Sequence, residues 1–317
     1  MSETLIIIIQ LLAGFALLFF GGDWLVNGGV ALARRFRISP LVVGMTIVAF
    51  GTSAPELLVS LTSSLKGIPG IAIGNVVGSN IANICLILGL TSIICPIETD
   101  NRKVLVNGTV MILASLILIV FSLHNGISRL EGIVLFLGLI LFTVVSVRKG
   151  RMNKQEAQEY DEAGKPMTVL AASGLIILSC IMLAYGADLL VNGASALARS
   201  IGVSEKVIGL TIVALGTSLP ELAASVAAAF KKQMDISIGN IIGSNIFNIL
   251  CVLGVSTSVK PISFDFSQYS NDFRFMIAVS VALLLLTSLR KKKGRLGRTA
   301  GILLLLSYTI YAFFLFK

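Results

Sequence analysis

Apolar residues fall in ten runs along the 317-residue chain, each near the ~20 residues a helix needs to cross a bilayer. They cover Leu5–Ala33, Leu41–Leu65, Ile71–Ile94, Val104–Leu123, Leu130–Val147, Val169–Ala198, Val207–Phe230, Ile236–Val259, Phe275–Leu289 and Ala300–Phe316. The first and sixth are too long for one upright crossing and predict tilted helices. The ninth is short. Between the fifth and sixth lies Arg148–Thr168, the most polar stretch. Its carboxylates, Glu156, Glu159, Asp161 and Glu162, match no calcium-loop spacing, so it reads as a solvated linker. The pattern predicts an all-α membrane protein with ten transmembrane helices.

The halves repeat each other. A shift of 165 residues aligns Gly21–Asp100 with Gly186–Asp265 without a gap, and 40 of those 80 positions are identical. Asp23 falls on Asp188, Asn27 on Asn192, Arg34 on Arg199 and Pro96 on Pro261. Each half is one duplicated unit: 1–147 is a five-helix repeat, 148–168 a cytoplasmic linker and 169–317 the second repeat. Five is odd, so the second copy enters the membrane inverted relative to the first.

Charge tests that topology. With both termini outside, the inner loops hold 18 of the 25 Lys and Arg, as the positive-inside rule requires. The net charge of +9 is thereby explained without nucleic acid. Composition agrees: 56% of residues are hydrophobic and 13% charged, about half the charged share of a soluble domain. The first apolar run lacks a basic leader and reads as a retained span in the cell (inner) membrane. Cys85, Cys95, Cys180 and Cys251 show no CxxC spacing, which points away from zinc and disulfides.

Candidate chemistry sits in two repeated stretches. The first is Gly-Thr-Ser-Ala-Pro-Glu at Gly51–Glu56 and Gly-Thr-Ser-Leu-Pro-Glu at Gly216–Glu221, each in mid-span. A carboxylate there costs on the order of 3 kcal/mol and persists where it is paired or serves an ion path. Pro55 and Pro220 free the carbonyls of Gly51 and Gly216. Thr52 and Ser53 precede Glu56 by four and three residues, as Thr217 and Ser218 precede Glu221, so their oxygens are expected on the same helix face. The second stretch is Gly74–Asn83, repeated as Gly239–Asn248. Its glycines form GxxxG pairs for close helix packing, while Ser79, Asn83, Ser244 and Asn248 are candidate ligands. Asn75 and Asn80 also need buried partners. Carboxylates, hydroxyls, amides and carbonyls without thiol or imidazole suit hard cations such as Ca²⁺ and Na⁺. Two carboxylates, Glu56 and Glu221, would neutralise one Ca²⁺, and Na⁺ would compete for the same oxygens.

These paired motifs resemble the alpha repeats of the sodium/calcium exchanger branch of the calcium/cation antiporter superfamily, nearest its compact prokaryotic members. The resemblance implies calcium binding by Glu56 and Glu221 with the Thr52 and Thr217 carbonyls. It implies sodium sites from the Ala49 and Ala214 carbonyls, Ser53, Ser79, Ser218, Ser244, Asn83, Asn248 and the two glutamates. It also implies that the long first and sixth spans slide across the core to switch access. Asp23 and Asp188 lie near the ends of those spans, where capping and gating roles both stand open. Asn248 stands where potassium-dependent relatives carry Asp, so the exchange is expected to be potassium-independent. Loading by three or more Na⁺ would make it electrogenic. A proton-coupled calcium exchanger using the same glutamates is the alternative. The only histidine, His124, lies in a short loop, which leaves Ser53 without a catalytic base and argues against an enzyme. No cofactor and no protein partner are expected beyond the transported ions and the lipid, and a monomer suffices.

Overall fold

The computed structural model describes residues 3–152, 167–203, 214–288 and 293–315. It is almost entirely helical. In chain order the helices are α1 (Glu3–Phe36), α2 (Pro40–Thr52), α3 (Ala54–Leu65), α4 (Pro69–Ile94), α5 (Asn101–Ser122), α6 (Arg129–Lys149), α7 (Val169–Ser200), α8 (Leu219–Phe230), α9 (Met234–Val259), α10 (Phe266–Ser288) and α11 (Arg298–Leu315). Among the described residues eight helices are long and apolar enough to span a membrane, and α2–α3, bent by 48°, makes a ninth. The run predicted at Val207–Phe230 begins outside the described residues and continues as the turn Ala214–Gly216 and α8. The linker carboxylates also lie outside them.

The predicted short ninth run proves to be a 23-residue helix, α10, starting at Phe266. Its first turns hold polar residues that lower the apolar count, but they are satisfied. Asp265 accepts from the Ser267 N–H at 2.9 Å, and Asp272 accepts from the Tyr311 hydroxyl at 2.9 Å. Asp100, the repeat counterpart of Asp265, likewise accepts from the Arg102 N–H at 2.9 Å and caps α5. A capping box between Ser128 and Glu131 starts α6.

The helices α4 and α9 are the centre. Buried residues make up 72% of the most apolar window of α4 and 94% of that of α9, against 28% in α1 and in α7. Both carry the Ser and Asn side chains of the second motif, which lipid cannot satisfy and which therefore turn inward, and the inward faces of α5 and α10 complete this core. The 34-residue α1 and the 32-residue α7 form a separate layer, each about 50 Å long at 1.5 Å per residue and so longer than a bilayer core. They run antiparallel with their backbones close. A side chain on Gly14, Gly21 or Gly28 would meet Leu190, Leu183 or Ile176 at 3.0 Å or less.

Loops meet in pairs. Strand β1 (Ile97–Asp100) pairs antiparallel with β4 (Lys293–Leu296), and β2 (Gly126–Ile127) with β3 (Ile262–Ser263). Lys260 donates to the Leu65 carbonyl, Arg298 to that of Ile93, and Ile38 bridges Arg151.

Candidate functional site

Both predicted broken segments break, and at the same residue. Between α2 and α3 the backbone turns at Ser53 (φ −85°, ψ 8°); between Ala214–Gly216 and α8 it turns at Ser218 (φ −90°, ψ 2°). Pro55 and Pro220 then sit in the first turn of the next helix, where a missing N–H costs nothing. The following residues, Glu56 and Glu221, are therefore also in a first turn, whose dipole favours a carboxylate. Each is fully buried, and Ser53, three residues before Glu56, reaches Glu221 across the two halves.

Amides from the second motif hold these turns in matching geometry. Asn75 Nδ2 donates to the Glu56 carbonyl at 3.1 Å and to Ser60 Oγ at 2.9 Å. Asn240 Nδ2 donates to the Glu221 carbonyl at 3.3 Å and to Ser225 Oγ at 2.9 Å. A second pair of bonds crosses between α4 and α9. Asn83 donates to Asn245 Oδ1 at 3.0 Å, and Asn248 donates to Asn80 Oδ1 at 3.0 Å. Asn83 and Asn248 each open a π-helical turn, Asn83–Ile87 and Asn248–Leu253. Such turns favour functional sites because the extra residue re-aims side chains. Ser60 and Ser225 were not among the predicted site residues; their identity across the repeat, one turn after each glutamate, was the available signal.

Each of these amide nitrogens has a partner, but several oxygens beside them do not. Both carboxylate oxygens of Glu56, Glu221 Oε2, Asn83 Oδ1 and Asn248 Oδ1 are buried without a hydrogen-bond partner among the described residues, as are the hydroxyls of Thr217 and Ser218. One unsatisfied buried polar atom costs about 1–3 kcal/mol, and these acceptors, at the two broken turns and at the π-helical turns of α4 and α9, are of the kind that suits hard cations. Ser79 and Ser244 are buried on the same two helices. No three His, Cys, Asp or Glu side chains gather among the described residues, so any cation here rests on two carboxylates and neutral oxygens.

Thr52 and Ser53, expected on one helix face with Glu56, lie before and at the turn that Glu56 follows. The turn at Ser53 interrupts the helical period, and both hydroxyls reach the other half. Ser53 Oγ donates to Glu221 Oε1 at 3.0 Å. Thr52 Oγ1 lies 3.2 Å from Asn240 Oδ1 and 3.5 Å from Ser244 Oγ. The Ala49 carbonyl accepts from the Ser53 N–H at 3.0 Å and from Thr52 Oγ1 at 3.3 Å. Ala214 starts the equivalent turn in the second half. Of the glycines assigned to packing, Gly239 and Gly243 lie against α2, where a side chain would meet the Leu41 carbonyl at 2.6 Å or the Met45 backbone at 2.5 Å. Gly74 and Gly78 have no described atom that close.

Known proteins share the sequence and overall fold of this chain. A family model for the sodium/calcium exchanger protein matches residues 6–148 and 171–317. The sodium/calcium exchanger MaX1 of Methanosarcina acetivorans is 31% identical, the match covering 96% of this chain and 97% of that one. The Ca(2+)/H(+) antiporter ChaA of Bacillus subtilis is 25% identical, covering 86% and 82%. A solved structure of the sodium-calcium exchanger NCX_Mj, soaked with Na⁺ and Sr²⁺, superposes with a TM-score of 0.83 at 35% identity, covering 97% of this chain and 98% of that one. The chain is thus a multi-pass integral membrane protein, a transporter and not an enzyme, and it belongs to the sodium/calcium exchanger family.

Proposed function

We propose that the protein exchanges Ca²⁺ for Na⁺ by alternating access, at one site built on Glu56 and Glu221. The observation that carries this is the cluster of buried, unpartnered oxygens, all acceptors or hydroxyls. Calcium binds the two carboxylates with the Thr52 and Thr217 carbonyls. Sodium uses the same carboxylates with Ser53, Ser79, Asn83, Ser218, Ser244, Asn248 and the Ala49 and Ala214 carbonyls. The loads share oxygens, so each displaces the other. One Ca²⁺ neutralises the pair of glutamates, whereas three Na⁺ overcharge it, so turnover moves charge. Asn248, a neutral amide, leaves no third carboxylate for K⁺.

The frame is ten spans in two inverted repeats, 1–147 and 169–317, with both termini outside. Contacts between loops support it. Charge counting puts the β1 and β4 loops inside and the β2 and β3 loops outside, and each strand pairs only within its own side. Lys260 and Leu65 both fall outside, Arg298 and Ile93 both inside. All site residues come from one chain, so the transport unit proposed is the monomer.

The likeness to a Ca(2+)/H(+) antiporter favours a second reading, in which protons replace Na⁺ on the same glutamates. Calcium uptake into vesicles holding the purified protein separates the two. Uptake driven by an outward Na⁺ gradient at matched pH, and dependent on a clamped membrane potential, is expected. Uptake driven only by a pH gradient would replace the sodium assignment with the proton one.

A further inference from the structure

The residue that follows α8 ties the core to the long-helix layer. Lys231 Nζ lies 2.7 Å from Asp23 Oδ1 on α1 and donates to Asn27 Oδ1 at 2.6 Å. Asn27 Nδ2 donates in turn to Asp23 Oδ2 at 3.2 Å, so cation, carboxylate and amide close on one another. The backbones are also pressed together, since a side chain on Gly22 would meet the Ala223 carbonyl at 2.8 Å.

Each member of this tie has a copy 165 positions away. Lys66 corresponds to Lys231, Asp188 to Asp23 and Asn192 to Asn27. The acceptor half is already assembled, because Asn192 Nδ2 donates to Asp188 Oδ2 at 3.0 Å on α7. Lys66 caps the end of α3 as Lys231 caps the end of α8. Yet Lys66 makes no bond to Asp188 or Asn192, and all three are exposed. Leu58, the counterpart of Ala223, is 64% exposed, so α7 is not seated on α3 as α1 is on α8. Lys260 already fills the Leu65 carbonyl, which leaves the Lys66 ammonium for another partner.

We propose that Lys66 with Asp188 and Asn192 is the second of two alternating ties, and that these six residues position the long helices during transport. Charge counting places Lys231 inside and Lys66 outside, so the state described is tied inside and open outside. When α1 and α7 slide, the Lys231 tie breaks and the Lys66 tie forms. This rests on alternating access as proposed above, but not on which ion drives it.

Two cysteine pairs, Lys231→Cys with Asp23→Cys and Lys66→Cys with Asp188→Cys, test the ties in a background where the four native cysteines are Ala. A short bifunctional methanethiosulfonate should link each pair, arrest calcium uptake, and release it on reduction. Conditions that raise the yield of one link should lower that of the other. Without cysteines, Lys66→Asp should lower uptake roughly fivefold, the scale of one partly exposed ion pair, and Asp188→Lys added to it should restore most of the loss. Lys66→Ala and Lys231→Ala should shift the ratio of calcium affinities measured from the two sides in opposite directions. A Lys66–Asp188 pair that never links in a protein that is transporting, or a charge swap that rescues nothing, would overturn the proposal. Absent sodium-driven uptake by the unmodified protein would instead count against the ion assignment alone.

Discussion

Ser53 and Ser218 occupy the same place in the repeated unit, but they do different things. Ser53 donates to Glu221, and beside it Thr52 reaches Asn240 and Ser244. The hydroxyls of Thr217 and Ser218 are buried without partners among the described residues, and so are both oxygens of Glu56. One copy of the motif is therefore engaged with the opposite half while the other is not. Asp23 is tied to Lys231 while Asp188 pairs with no cation among the described residues. The motif residues repeat but their contacts do not, as the alternating access proposed above would require of any single state. A repeated motif can be engaged from either half, and engaging one copy leaves the other's bonds unmade.

The comparison can be broken most directly at the glutamates. Glu56→Gln and Glu221→Gln should each cut calcium uptake at least ~100-fold, about 2.7 kcal/mol of lost cation stabilisation, with expression and melting temperature kept. Uptake near wild type in either variant would separate the two copies where they are proposed to act together.

Packing comes next. Gly243→Ala drives a methyl into the Met45 backbone and should destabilise the purified protein by about 1–3 kcal/mol, the cost of overpacking, read as a lower melting temperature in detergent. Gly22→Ala should act differently, because it loosens the seat of α1 on Ala223. Ala187 already stands at the equivalent position of α7, so this change makes the two closures more alike and should raise the share of inward-open protein.

Amide substitutions sharpen the comparison further. Asn240→Ala removes a donor from the Glu221 carbonyl and Ser225 at a fully buried position, and should cost about 2 kcal/mol. Asn75 makes the same bonds but is only partly buried, so Asn75→Ala should cost less, water replacing part of the loss. Equal melting temperatures would show that both amides are equally sealed.

The smallest effect concerns the serines themselves. In ion-free protein Ser53→Ala removes a hydrogen bond to Glu221 worth about 1 kcal/mol, whereas Ser218→Ala removes none among the described residues. A thermal shift for the first without one for the second is expected. The reverse order would mean that the second copy is the engaged one in solution.

Much of this was legible in the chain because the membrane constrains it so strongly. Apolar runs and two mid-span glutamates stand out because polar groups are costly in lipid, and the 165-residue repeat is read directly from residue identity. The breaks at Pro55 and Pro220 were readable for the same local reason. The start of α10 was not, since its polar first turns are satisfied by Asn125 and Tyr311, residues distant in sequence. Nor were the π-helical turns at Asn83 and Asn248, which no residue type announces.

The sequence by itself determined the class, the duplicated unit and the residue types of the site, since these depend on composition, spacing and charge sign. Only the tertiary structure decided which half each hydroxyl serves, and that Ser53 answers Glu221 in place of its neighbour Glu56. It alone decided that Lys231 is bound while Lys66 is free of Asp188. The reason is that a repeated sequence fixes equivalent positions but not equivalent contacts. Contacts depend on where α1 and α7 rest on the core, and α1 rests on α8 at Gly22 and Ala223 where the equivalent Leu58 of α3 is exposed.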